Sequence, residues 1–407
     1  MLNQISGGVC AAKGFTAAGV HCGVKAGSSP DKNDLALILS EKECAAAATY
    51  TMNRVKAAPL YVTMDHLENG VAWGVVANSG NANACCPQSH ENAEAMSAAA
   101  AAATGREPGD FVVASTGVIG QTINISAIQA GLPQAAAALS ADGSDAAAHA
   151  IMTTDTVKKE IAVSLTIGGK EVRLGAIAKG SGMIHPNMGT MLAFVTTDCA
   201  ITHEMLSDAL HEVVARTFNR VTVDGDTSTN DMCVVLANGM AGNSLIEWKD
   251  QDYETFLAAL EEVCRYLSRA IAGDGEGASK LVTCKMHGAR SEESAERLAK
   301  AVVGSSLVKA AMFGADANWG RVLCAMGYSK APFRPEHVDV SFCSQAGSIL
   351  VCKQGDGVDF DEDKAKTILT EKEVIIDVDL HEGGESAECW GCDLTYDYVK
   401  INGDYRT

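Results

Sequence analysis

A chain of 407 residues, 47% hydrophobic and 20% charged, is larger than one hydrophobic core usually serves, so two domains are expected. A formal net charge of −19 with no Lys/Arg-rich run argues against a nucleic-acid surface and against binding an anionic membrane. Residues 1–13 lack the charged start and apolar core of a signal peptide, and no apolar run reaches the roughly 18 residues of a membrane span, so a cytoplasmic protein is expected whose fourteen cysteines are reduced.

Residues 7–25 are glycine-rich with short apolar runs. Residues 35–39 and 72–77 are compact apolar runs suited to buried strands, and the second leads into Asn78-Ser79-Gly80-Asn81-Ala82-Asn83, a pattern that favours turns and exposed amides. An alanine-rich helix is predicted over about 91–103. Residues 111–114 form a further short strand that stops at Ser115-Thr116-Gly117-Val118-Ile119-Gly120. A strand ending there leaves N–H groups unpaired where an anion or oxyanion can bind; an ordinary strand-to-loop turn is the equal alternative.

Residues 161–167 and 171–178, joined through Gly168-Gly169, read as a β-hairpin. Thr202 caps an amphipathic helix with Met205, Leu206, Ala209, Leu210, Val213 and Val214 on one face. A second amphipathic helix covers about 255–272 and ends at Gly273-Asp274-Gly275-Glu276-Gly277. Beyond residue 280 come strands at 281–286, 338–342, 349–352 and 374–380, a capped helix at 291–303 and a last strand at 394–401. This mixture predicts an α/β (α+β) protein: a larger domain over 1–280 and a smaller C-terminal α+β domain over 281–407.

Cys389-Trp390-Gly391-Cys392 is a C-x-x-C, but no second close pair completes a zinc site and no helix follows to lower a thiol pKa, so it is read as coincidence. The histidines show no ligand spacing. Asp224-Gly225-Asp226 with Asn230-Asp231 offers oxygen ligands, although an Asp/Asn-rich turn is the commoner meaning. The central stretch from Lys179-Gly180-Ser181-Gly182-Met183 to Gly189-Thr190-Met191-Leu192 is a glycine- and proline-punctuated loop that puts the small Gly189 directly before the hydroxyl of Thr190. That bond is sterically open to attack by its own threonine, which marks it as a candidate self-cleavage site.

At these residues the chain resembles the glutamate N-acetyltransferase (ornithine acetyltransferase) family. The resemblance runs through Lys179 to Leu192, residues 77–85, 115–120, 152–156 and 219–231, Gly273-Asp274-Gly275-Glu276-Gly277, residues 314–321 and the tail at 398–402. It implies a layered αββα sandwich of the N-terminal-nucleophile type. It also implies self-cleavage between Gly189 and Thr190, giving an α chain of 1–189 and a β chain of 190–407. The freed Thr190 would carry acetyl from N-acetylornithine to glutamate, with its α-amine, whose reference pKa is about 8, as base. By the same resemblance Thr116 and Gly117 form the oxyanion hole, Thr153, Lys179, Glu276, Asn402 and Thr407 hold substrate, and an α2β2 heterotetramer forms. No metal or cofactor is implied, and acetyl-CoA stands as a candidate second donor. Two alternatives remain open: a self-cleaving aminopeptidase or amidase of related architecture, and a non-enzymatic amino-acid-binding protein.

Overall fold

The structure, a computed structural model, describes residues 2–25, 27–185 and 191–404. The first part of the chain runs β1 (Asn3–Ile5), β2 (Phe15–Val20), β3 (Leu35–Tyr50), α1 (Ala58–His66), β4 (Val71–Asn78), α2 (Ser89–Thr104), β5 (Phe111–Ser115), α3 (Ile125–Ala137) and α4 (Ser144–Ala150). It continues through β6 (Lys159–Ile167), β7 (Lys170–Lys179), β8 (Leu192–Thr197), α5 (His203–Arg216), β9 (Met232–Ala237) and α6 (Gln251–Gly273). Then follow β10 (Leu281–Ala289), α7 (Glu292–Gly304), α8 (Ser306–Phe313), α9 (Trp319–Gly327), β11 (Asp339–Ser344), β12 (Gly347–Lys353) and β13 (Asp356–Gly357). The chain closes with α10 (Glu362–Leu369), β14 (Glu373–Asp379), β15 (Glu385–Cys392) and α11 (Tyr396–Asp404).

The first sheet has the order β1-β6-β7-β8-β9-β3-β4-β5, with β2 also on β3. Its pivot is β3, a strand of 16 residues whose ends serve different partners. Leu35 to Leu39 pair with β4, Ala45 to Tyr50 pair with β9, and the register shifts between Leu39 and Cys44. The sheet therefore folds over at β3 into two leaves.

Side-chain alternation sorts three apolar layers from these strands. Ile38, Val75 and Ala114 of one leaf share a core with Ile177, Phe194 and Val234 of the other. Their sequence neighbours point outward: Leu37, Val76 and Val113 pack with Met96, Ile128 and Leu132 of α2 and α3. On the far side Ala176, Val195 and Val235 pack with Leu210 and Val213 of α5 and with Phe256, Leu260 and Val263 of α6. Helix, leaf, leaf and helix is the αββα arrangement, because strands apolar on both faces demand cover on both.

The predicted hairpin forms as β6–β7, with Ile167 opposite Lys170 and both turn glycines at positive φ, 53° and 74°. Thr202 caps α5 through Met205 N at 3.3 Å, and Ser291 caps α7 through Ser294 N at 3.2 Å. Helix α6 starts a turn earlier than expected, because Asp250 accepts from Asp252 N and Tyr253 N.

The second sheet, β13-β12-β11-β14-β10-β15, packs Val282, Met286, Phe342 and Ile376 against Leu298, Val302, Met312 and Ile368 of its helices. Its strand β15 faces two cores. Cys389 lies in the second, while Trp390 and Cys392 lie in the first. The C-x-x-C thiols thus leave opposite faces of one strand and cannot share a metal ion.

One expected element is wrong. Residues 394–401 carry no strand; Tyr396–Asp404 is the helix α11. The β-branched and aromatic residues Tyr396 and Val399 that suggested a strand are 83% and 68% exposed, so they gain none of the packing that favours such residues on a sheet face.

Candidate active site

The ends of β4, β5 and β7 meet the start of β8 and the segment before β9 around one polar cavity of about 110 Å³. Thr116, Gly117, Thr153, Lys179, Gly182, Asn230, Glu276 and Asn402 are among its lining residues. Of the residues singled out from the sequence, Thr116, Gly117, Thr153, Lys179, Glu276 and Asn402 are therefore brought together, from five separate stretches of chain. Gly189, Thr190 and Thr407 lie outside the described residues. The adjoining strands are described. Lys179 pairs with Leu192, which in turn pairs with Met232, so β8 begins beside the cavity.

In the turn after β5 the amides on either side of Gly117 are paired. Thr116 N donates to Asn78 O at 3.0 Å and Val118 N to Gly80 O at 3.4 Å. The Thr116 main chain is thus committed to structure, and what it offers the cavity is its hydroxyl. Gly117 has φ 132°, and a Cβ there would lie 2.5 Å from Asn81 N. Only glycine fits that backbone and that approach. Asn230 braces the same turn, with Nδ2 donating to Ser115 O at 2.8 Å and to Ala82 O at 2.7 Å.

Lys179 is buried, and its Nζ donates to Thr116 Oγ1 at 3.3 Å. Because that bond uses an acceptor lone pair, the Thr116 O–H remains able to donate into the cavity. Burial pushes the Lys179 amine below the usual lysine range, and the Asp155 carboxylate acts against that shift. Glu276 is fixed at both ends. Its N–H donates to Ser181 O at 3.0 Å, and its Oε2 accepts from Asn402 Nδ2 at 2.7 Å. Gly182 lies against the Glu276 carboxyl so closely that any Cβ would collide with it.

Behind the cavity lies a buried ion cluster that motif reading missed. Lys159 Nζ reaches Asp155 Oδ1 at 2.8 Å and Asp274 Oδ2 at 2.6 Å. Asp155 also accepts from Gly180 N at 2.7 Å and from Thr153 N at 3.1 Å. Burial alone would raise the Asp155 carboxyl, but Lys179 and Lys159 overrule it and hold it at about 2. The available signal was Lys159 itself, a lysine at the head of a largely buried strand.

Asp224, weighed as a cation ligand, instead accepts from Met183 N at 2.6 Å and Ile184 N at 2.9 Å, pinning the loop after Lys179. Among the described residues no cluster of His, Cys, Asp and Glu is arranged to hold a metal ion, and no helix is long and apolar enough to cross a membrane.

Residues 16–407 match the model of the ArgJ family. The chain belongs to the ArgJ family. It is accordingly an acyltransferase of arginine biosynthesis. An arginine biosynthesis bifunctional protein of Symbiobacterium thermophilum is 53% identical over 407 residues, covering all of both chains. One of Clostridium acetobutylicum is 49% identical over 394 residues, 97% of this chain and 96% of the relative. Among solved structures, an arginine biosynthesis bifunctional protein of Bacillus halodurans is 47% identical with a TM-score of 0.51, its whole chain matching 53% of this one.

Proposed function

We propose that the chain cleaves itself between Gly189 and Thr190 and then transfers acetyl from N2-acetyl-L-ornithine to L-glutamate through an acetyl-Thr190 intermediate. The observation that carries this reading is the contact of Lys179 Nζ with the Thr116 hydroxyl, in one cavity with Glu276, at the edge where β7 hands over to β8. A cation, a carboxylate and a hydroxyl donor there suit a zwitterionic amino acid next to a developing oxyanion. The solved relative adds support, since its whole chain matches about the share of this one that residues 190–407 represent.

In the first half-reaction Thr190 Oγ attacks the acetyl carbonyl of acetylornithine. Its proton passes to the Thr190 α-amine, the carbonyl oxygen takes the negative charge, and the Thr116 O–H and Gly117 N–H receive it. The amide C–N bond then breaks, the α-amine returns the proton to the departing amine, and ornithine leaves. Glutamate runs the sequence in reverse: its amine attacks the acetyl ester and the Thr190 oxygen departs. Lys179 and Glu276 meet the α-carboxylate and the amine of the amino-acid substrate, while Thr153, Asn402 and Thr407 complete the binding site. The processed chains stay together and pair as α2β2.

Denaturing electrophoresis with N-terminal sequencing tests the cleavage: a chain starting at Thr190 is expected, and a persistent single full-length band overturns it. Thr190→Ala is expected to abolish both cleavage and transfer. Glutamate acetylation supplied with acetyl-CoA alone decides whether that donor is used as well. Release of acetate to water without an acceptor amine would instead favour an amidase.

A further inference from the structure

The cavity's cation sits in an unusual setting. Lys179 and Lys159 are both buried, and the Asp155 carboxylate binds Lys159 at 2.8 Å and the amide of Gly180, the residue after Lys179, at 2.7 Å. Lys159 and both carboxylates that bind it have side chains at most 7% exposed. The charged groups acting on Lys179 are Asp155 ahead of β6, Lys159 on β6, Asp231 ahead of β9 and Glu276 beyond α6. Two buried ammonium groups without an intervening anion would repel, and one would lose its proton.

The cluster is also the joint where the lining segments meet. Asp155 binds the main chain of Thr153 and of Gly180, the residue after Lys179. Asp274 accepts from Lys159 and from Thr156 N at 3.0 Å, and its carbonyl accepts from Ser181 Oγ at 2.7 Å. Ser181 O in turn accepts from the Glu276 amide. One hub thus ties together the segments that carry Thr153, Lys179 and Glu276.

We propose that Asp155 is a positioning residue for acyl transfer: it is the counter-ion that keeps Lys179 cationic, and with Lys159 and Asp274 it holds the substrate-binding segments in register. This rests on the acetyl-transfer reading, in which Lys179 meets the amino-acid substrate; wild-type cleavage and transfer test that reading separately.

Asp155→Asn keeps the shape and removes the charge. Losing a charge-assisted contact of this kind raises KM for both acetylornithine and glutamate roughly 10- to 100-fold. The turnover of the acetylated enzyme should change much less, because the variant leaves the nucleophile and its oxyanion donors in place. With its counter-ion gone, Lys179 loses its proton at lower pH, so KM in the variant should fall again as the pH is lowered. An unchanged KM, or a loss confined to kcat with no pH-dependent recovery, would overturn the proposal. Should Asp155→Asn not fold, NMR of wild-type protein labelled at lysine side chains, with Lys179 assigned through Lys179→Arg, reads the charge directly. A protonated amine at pH 7.5 is expected there, and a neutral one would overturn the proposal.

Discussion

Gly117 carries two requirements at once, and they separate on substitution. Its φ of 132° is outside the range of L side chains, and a Cβ would press on the Asn81 main chain. Backbone strain of this kind costs about 1–3 kcal/mol at a non-glycine residue. Relieving it would move the Gly80–Asn81 segment, whose carbonyl at Gly80 accepts from Val118 N. Gly117→Ala is therefore expected to lower the melting temperature by several degrees and to cut acetyl transfer more than it lowers affinity for ornithine. Calorimetry with steady-state kinetics checks both. Asp155 supplies a different residue-scale expectation. Its folded pKa of about 2 lies below its ordinary 3.8, so its contribution to stability is fully present above about pH 4 and disappears as the pH falls toward 2. That contribution is roughly 2 kcal/mol. Denaturant midpoints measured from pH 5 to 2 should fall for the wild type, and Asp155→Asn should lack that part of the slope.

At the scale of elements, α11 delivers Asn402 to Glu276 from the chain's last helix. That hydrogen bond goes to a carboxylate acceptor and is exposed to water, so Asn402→Ala should raise KM by roughly 3- to 10-fold with little effect on folding. Steady-state kinetics and a melting curve separate the two effects. The same helix shows where sequence reading stops. Its Tyr396, Tyr398, Val399 and Ile401 have strand-forming side chains, yet they fold as a helix that leaves Tyr396 and Val399 exposed. The strands apolar on both faces, the Gly168-Gly169 turn and the caps at Thr202 and Ser291 were legible because each is a local pattern with a local cause. The fold-over at β3 was not, since it depends on two partners meeting opposite ends of one strand. In the site, the Ser115-Thr116-Gly117 turn was visible, yet the loss of the Thr116 amide to Asn78 was not, because the acceptor lies 38 residues earlier. The Lys159 hub was hidden for the same reason: Asp274 is 115 residues away.

At the scale of the molecule, the boundary near residue 281 separates two sheets without separating two stabilities. Trp390 belongs by sequence and hydrogen bonding to β15 of the second sheet, opposite Thr283 of β10. Its fully buried side chain nevertheless lies in the core formed by β7, β8, β9, α5 and α6, and its carbonyl accepts from Thr222 N at 2.9 Å. Leu281 and Cys392 enter that core beside it. The second sheet therefore contributes part of the first sheet's core, and either unit unfolding alone would expose a tryptophan's worth of apolar surface. Truncating a buried Trp costs about 3–5 kcal/mol. Wild-type protein is expected to unfold in one cooperative calorimetric transition. Trp390→Ala should lower its midpoint and split it in two, as each sheet loses the side chain that couples them. Two transitions already present in the wild type would show that the shared core does not bind the units together. Because α11 and Glu276 lie on opposite sides of β10–β15 in the chain, the split variant should also lose affinity for ornithine before its larger unit melts.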